Sequence, residues 1–77
     1  MKITVSPGTK YRAQIRLGFF ERVASNEMVA DRFRAVGLVD VMVTGTGGDR
    51  MGTGTWPAGK PQQTIDVEQI VAIEVVR

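Results

Sequence analysis

Lys10-Tyr11-Arg12-Ala13-Gln14-Ile15-Arg16-Leu17 alternates polar and apolar residues without a break, and Ser25 to Gly37 carries its apolar residues at helical spacing. The first segment reads as a strand: Tyr11, Ala13, Ile15 and Leu17 point one way, and Lys10, Arg12, Gln14 and Arg16 the other. The second reads as a helix with one dry stripe, formed by Val29, Phe33 and Val36 and flanked by Met28 and Ala30. Ser25 is placed to cap its N-terminus, with Glu27 in the first turn where the helix dipole favours negative charge. Arg32 and Arg34 lie near its C-terminus, and Gly37 is the expected C-cap. The rest of the chain has to cover or extend this strand-helix pair.

The segment between them, Gly18 to Ala24, has two readings: a first helical turn, or a compact loop that drops Phe19 or Phe20 into the core. Upstream, Lys2 to Val5 alternates and is β-branched, and Ser6-Pro7-Gly8-Thr9 is a turn. The strand at Lys2 is therefore expected to form a hairpin with the one at Lys10. Downstream, Leu38 to Thr44 is a strand with Val39, Val41 and Val43 on one face. Gly47-Gly48-Asp49 reads as a hairpin tip, and Arg50 to Trp56 as the return strand. The glycines of that strand suggest a bulge or a close approach by another backbone. Pro57 to Pro61 is a polar loop. Ile65 to Val67 and Ile70 to Val76 are apolar and β-branched, which favours a final strand over a short helix across Val67 to Ala72. The expected fold is α+β, one domain over residues 1–77, with order β-β-α-β-β-β. It is a small, single-layer, mostly antiparallel sheet with one main helix on one face and the other face open.

Seventy-seven residues support one small core and marginal stability. There is no cysteine and no histidine, which removes disulfides, the usual transition-metal sites and most nucleophile-base pairs. Ten Lys and Arg stand against eight Asp and Glu, too balanced for charge alone to imply nucleic acid. No apolar run approaches a membrane span. Met1-Lys2-Ile3-Thr4-Val5 has no signal-peptide core, so cytoplasmic synthesis is expected, compatible with later incorporation into a virion.

Four features are candidates for chemistry. The glycine run Gly45 to Gly54 lacks the spacing of a phosphate-binding loop, and no helix follows it. The carboxylates Asp40, Asp49, Asp66, Glu68 and Glu74 are scattered, with no spacing that fixes two of them in one cleft. Only Ser6 and Ser25 are serines and there is no histidine, which speaks against a hydrolytic triad and leaves a Ser-Lys pair open. The row Lys10, Arg12, Gln14, Arg16 could follow a phosphate backbone, but no stacking aromatic shares its face. Trp56 reads either as a core lid or as an interface anchor. No catalytic residue, metal ligand or cofactor is assigned.

Tyr11-Arg12-Ala13-Gln14-Ile15, then Gly18-Phe19, then Ser25 to Gly37, resembles the opening of a SPOR domain, the small peptidoglycan-binding module of bacterial cell division. Arg50 to Trp56 echoes its second strand. The resemblance implies glycan binding by the open sheet face. The compact Cys-free and His-free chain with a Gly-Thr-rich hairpin also looks like the small accessory proteins of tailed-phage particles.

The leading expectation is a non-catalytic protein-protein interaction or assembly module in a phage or bacterial assembly, working by self-association or by packing on a larger partner. Glycan binding is the alternative, and nucleic acid ranks below both. The final strand is apolar on both faces and at a sheet edge, a template for association. Ile70, Ala72 and Val76, with Trp56, Arg12 and Arg16, are therefore the expected interface residues.

Overall fold

The computed structural model describes residues 1–77. The elements run β1 (Lys2–Val5), β2 (Lys10–Arg16), α1 (Asn26–Val36), β3 (Val39–Thr46), β4 (Asp49–Thr55), β5 (Gln63–Asp66) and β6 (Ile70–Val75). This is the expected α+β class, and the order β-β-α-β-β is as expected, but the single final strand expected after β4 is two strands, β5 and β6. The strands, however, divide between two sheets: a four-stranded antiparallel sheet of order β3-β4-β2-β6 and a two-stranded ribbon of β1 and β5.

The ribbon corrects the expected β1–β2 hairpin. Ser6-Pro7-Gly8-Thr9 does form a turn, with the Thr9 amide donating to the Ser6 carbonyl at 3.2 Å and Gly8 at φ 73. Proline second and a positive-φ glycine third is type II chemistry. Type II turns splay flanking strands, whereas hairpins need the primed turns whose twist matches the sheet. β1 consequently leaves β2 and pairs with β5 in the register Ile3↔Ile65. Between β3 and β4 the turn matches the sheet: Gly47 takes φ 69 as the first of the two residues between Thr46 and Asp49, which pair.

The helix forms where expected. The Ser25 hydroxyl accepts from the Met28 amide at 3.1 Å. Gly37, at φ 124, closes α1 with its amide on Arg34 and the Leu38 amide on Phe33, the paired bonds of a Schellman end. The buried stripe is Val29, Ala30 and Phe33; Val36 lies at its rim and Met28 outside it.

Helix and ribbon lie on the same face of the four-stranded sheet. Phe33 from α1, and Ile3 and Val5 from β1, converge with Ala13, Ile15 and Ile70 around one interior apolar void. Thirteen buried apolar residues make one cluster. The ribbon thus covers the part of the sheet that a single helix of this length leaves bare. The glycines of β4 serve the same packing: a Cβ at Gly52 would meet Ile15 Cδ1 at 2.9 Å, and one at Gly54 would meet Val41 and Leu38. A bulge or a close approach by another backbone was expected: the β3 bulge lies opposite Gly54, and the closest approach to these glycines is by side chains.

Both edges of the four-stranded sheet are irregular. In β3, Asp40 (φ 51) and Val41 together span one partner position, which turns Val39 outward and leaves Val41 and Val43 facing the core. In β6, Val71 is the extra residue between Ile70 and Ala72. Bulges of this kind twist an edge away from flat pairing. No helix is long and apolar enough to cross a membrane.

Candidate interaction surfaces

The residues expected at an interface are placed apart. Ile70 is 4% exposed and Trp56 is fully buried, so both belong to the core and neither can meet a partner. Trp56 is the core lid: its indole donates to the Pro61 carbonyl at 2.9 Å, and Lys60 Nζ stands 5.1 Å from the ring centroid. Ile70 is buried because the ribbon, absent from the single-sheet expectation, lies over the inner face of β6. Ala72 is exposed on the open sheet face, and Val76 lies just past β6, its amide bonded to the Lys10 carbonyl at 2.8 Å.

The open face presents Arg12, Gln14 and Arg16 beside threonines, Met42 and Met51. Arg12 meets Glu74 on β6 at 3.1 Å, and Arg16 meets Asp49 on β4 at 3.7 Å. The basic row is therefore answered by carboxylates from both neighbouring strands, and it carries no aromatic residue. No group of three acidic side chains is placed to hold a metal ion.

The most apolar exposed feature lies elsewhere, in the loop between β2 and α1. Phe19, Phe20 and Val23 are 73%, 89% and 87% exposed. The segment is neither a helical turn continuous with α1 nor a plug: it is a series of turns that holds both rings in solvent. The rings meet edge to face at 5.4 Å, and the Arg22 guanidinium covers Phe19 at 5.3 Å.

The loop is held from two sides. From below, Arg50 is buried, 6% exposed, and faces only neutral acceptors. Its Nη2 donates to the Arg22 and Ala24 carbonyls, both at 2.9 Å. Its Nη1 donates to Asn26 Oδ1 at 2.8 Å, and its Nε to the Gly47 carbonyl at 3.0 Å. Asn26 in turn donates to the Gly45 carbonyl at 3.1 Å. One side chain thus joins the β3–β4 hairpin tip, the loop and the first residue of α1. From the side, Glu21 accepts from Arg32 at 2.5 Å, from the Gly18 amide at 3.3 Å and from Gln69 at 3.4 Å. The Arg32 bond first, then the Gly18 amide and Gln69, hold its carboxyl below its ordinary pKa.

Arg32 and Gln69 also rim a cleft of about 360 Å³ between α1 and the β5–β6 turn. Leu17, Val29, Phe33 and Val67 form its floor and Val36 one wall, while Asp66 and Glu68 stand on the rim opposite α1. The aromatic loop therefore begins where the cleft ends.

Arg50 carried no signal in the sequence. It stands between Asp49 and Met51 in a glycine-rich hairpin, where an arginine reads as a solvated surface residue. The exposure of Phe19 and Phe20 was equally hidden. No family model, curated protein or solved structure matches this chain.

Proposed function

We propose that the protein is a non-catalytic interaction module, a small structural or accessory component of a phage or bacterial assembly, whose contact element is the loop of Phe19, Phe20 and Val23. The observation that carries this reading is that the loop is apolar, exposed and fixed at once. Exposing two phenylalanines and a valine together is unfavourable in water, and a loose loop would fold them inward. Here Arg50 and Glu21 hold the backbone in place, so a partner binds without having to order the loop first. Aromatic and Arg residues are the side chains that dominate interface energetics, and Arg22 accompanies the rings.

The alternative, glycan binding on the open sheet face, has less support. That face lacks an aromatic platform, and its arginines are matched to Glu74 and Asp49.

The test is a photoreactive benzoyl-phenylalanine placed at position 20 in producing cells, with the same residue at exposed Gln62 as control. A discrete protein adduct at position 20, absent at position 62, is expected. No protein adduct at position 20, together with retention of the wild-type chain on cell-wall sacculi, would overturn the reading in favour of glycan binding.

A further inference from the structure

We infer that the loop's partner is a second copy of this chain, each protomer seating Phe20 in the cleft between α1 and the β5–β6 turn of the other. The inference rests on the proposed function of the loop and adds the identity of what it meets.

Three observations point to a second copy. The first is fit. The cleft, about 360 Å³, lies at the small end of the roughly 300–1,000 Å³ range of pockets that take a compact apolar group, and its floor is apolar. Phe20 is the most exposed large apolar side chain of the protein at 89%. In its own protomer it stands in solvent, outside the cleft lining, with the loop backbone held by Arg50 and Glu21.

The second is charge. Arg22 travels with Phe20 and makes no ion pair, and Glu68 on the cleft rim makes none either. Seating the loop in a partner's cleft brings these two unmatched charges together, with Asp66 beside them.

The third is arrangement. Loop and cleft adjoin, since Glu21 of the loop bonds Arg32 and Gln69 of the rim. A donor and an acceptor that share a border make a self-complementary patch, which is what a two-fold interface requires. Area favours the reciprocal form. One loop buries only about 300–500 Å² through its two phenylalanines, whereas two loops with the matching cleft surfaces approach the roughly 1,200–2,000 Å² of a stable interface.

The experiment is sedimentation velocity on the full chain across the micromolar range, with circular dichroism on each variant. Wild type is expected at dimer mass and Phe20→Ser at monomer mass with unchanged dichroism. Arg22→Glu and Glu68→Arg should each raise the dimer dissociation constant about tenfold, a loss of roughly 1.4 kcal/mol. The double variant, with the charges exchanged, should return to the wild-type constant. That rescue does not depend on how Phe20→Ser folds. A monomeric wild type, a dimer that Phe20→Ser leaves intact, or a double variant weaker than either single one overturns the inference. If wild type is monomeric while position 20 still crosslinks to a different protein, the second copy is wrong and the interaction reading stands.

Discussion

The Arg50 guanidinium donates to the Arg22 carbonyl at 2.9 Å, across 28 positions of sequence. A buried cation answered only by carbonyls and one amide oxygen is held by geometry, because no carboxylate offsets its desolvation. Removing the cation leaves the Arg22, Ala24 and Gly47 carbonyls without their donor.

Arg50→Met is therefore expected to destabilise the fold by on the order of 3 kcal/mol, the scale of lost bonds to a charged donor. It should also release the loop. Urea unfolding measures the first effect, and hydrogen exchange at the amides of residues 20–25 the second. A variant with wild-type unfolding and wild-type exchange in that segment would show that Arg50 does not hold the loop.

Phe33 is buried mid-stripe on α1 and faces both the sheet and the ribbon. Phe33→Ala should cost about 3–5 kcal/mol, most of the stability of a domain this small. Thermal melting by circular dichroism is the measurement. A melting temperature that hardly moves would mean that the helix packs through another face.

How much of this was open to reading from the sequence depends on range. Ser25 and Gly37 mark the ends of α1 by local chemistry alone, and the alternation of Lys10 to Leu17 shows which way β2 faces. The pairing of β1 is different. Pro7-Gly8 announces a turn, but its consequence, a strand that leaves its neighbour for β5, depends on residues some sixty positions away. Ile70 is a core residue for the same reason: it looks like an edge residue until the ribbon covers it, whereas Trp56 takes the core-lid reading that its place in the sequence allowed. Glycine at 52 and 54 signals a tight contact, and only the fold shows that Ile15, Val41 and Leu38 fill it.

Gly37 combines φ 124 with close neighbours on its open side: a Cβ there would meet Lys60 Nζ at 2.5 Å and the Trp56 ring at 3.1 Å. Gly37→Ala should destabilise by about 1–3 kcal/mol through backbone strain and displacement of the ring. The indole fluorescence should shift with it. Gly59→Ala, where nothing lies within 4 Å, is the matched control and should be close to neutral. Equal melting temperatures for the two variants would refute the role given to Gly37.

The Glu21 carboxyl, held low by Arg32, Gly18 and Gln69, sets the direction of the acid response. A carboxyl whose folded pKa lies below its unfolded one contributes stability that is complete above the unfolded value and disappears as pH falls through the folded one. Wild type should thus exceed Glu21→Gln in melting temperature near neutrality, and the gap should close below the ordinary carboxylate range. A gap that is constant with pH would mean that the ionised carboxyl contributes nothing to holding the loop.

The ribbon also governs how the chain reaches this structure. β1 finds its partner only at residues 63–66, and β2 completes its pairing only with β6. The β3–β4 hairpin and α1 are the only elements that can form from neighbours. Loop closure over such spans must precede the contacts that reward it, which places folding in the slow, millisecond-to-second class despite the small size. During synthesis Ile3 and Val5 emerge early and stay without their strand partner until β5 has appeared. The nascent chain is therefore most exposed to chaperones and to misassociation in the interval before β5 and β6 appear.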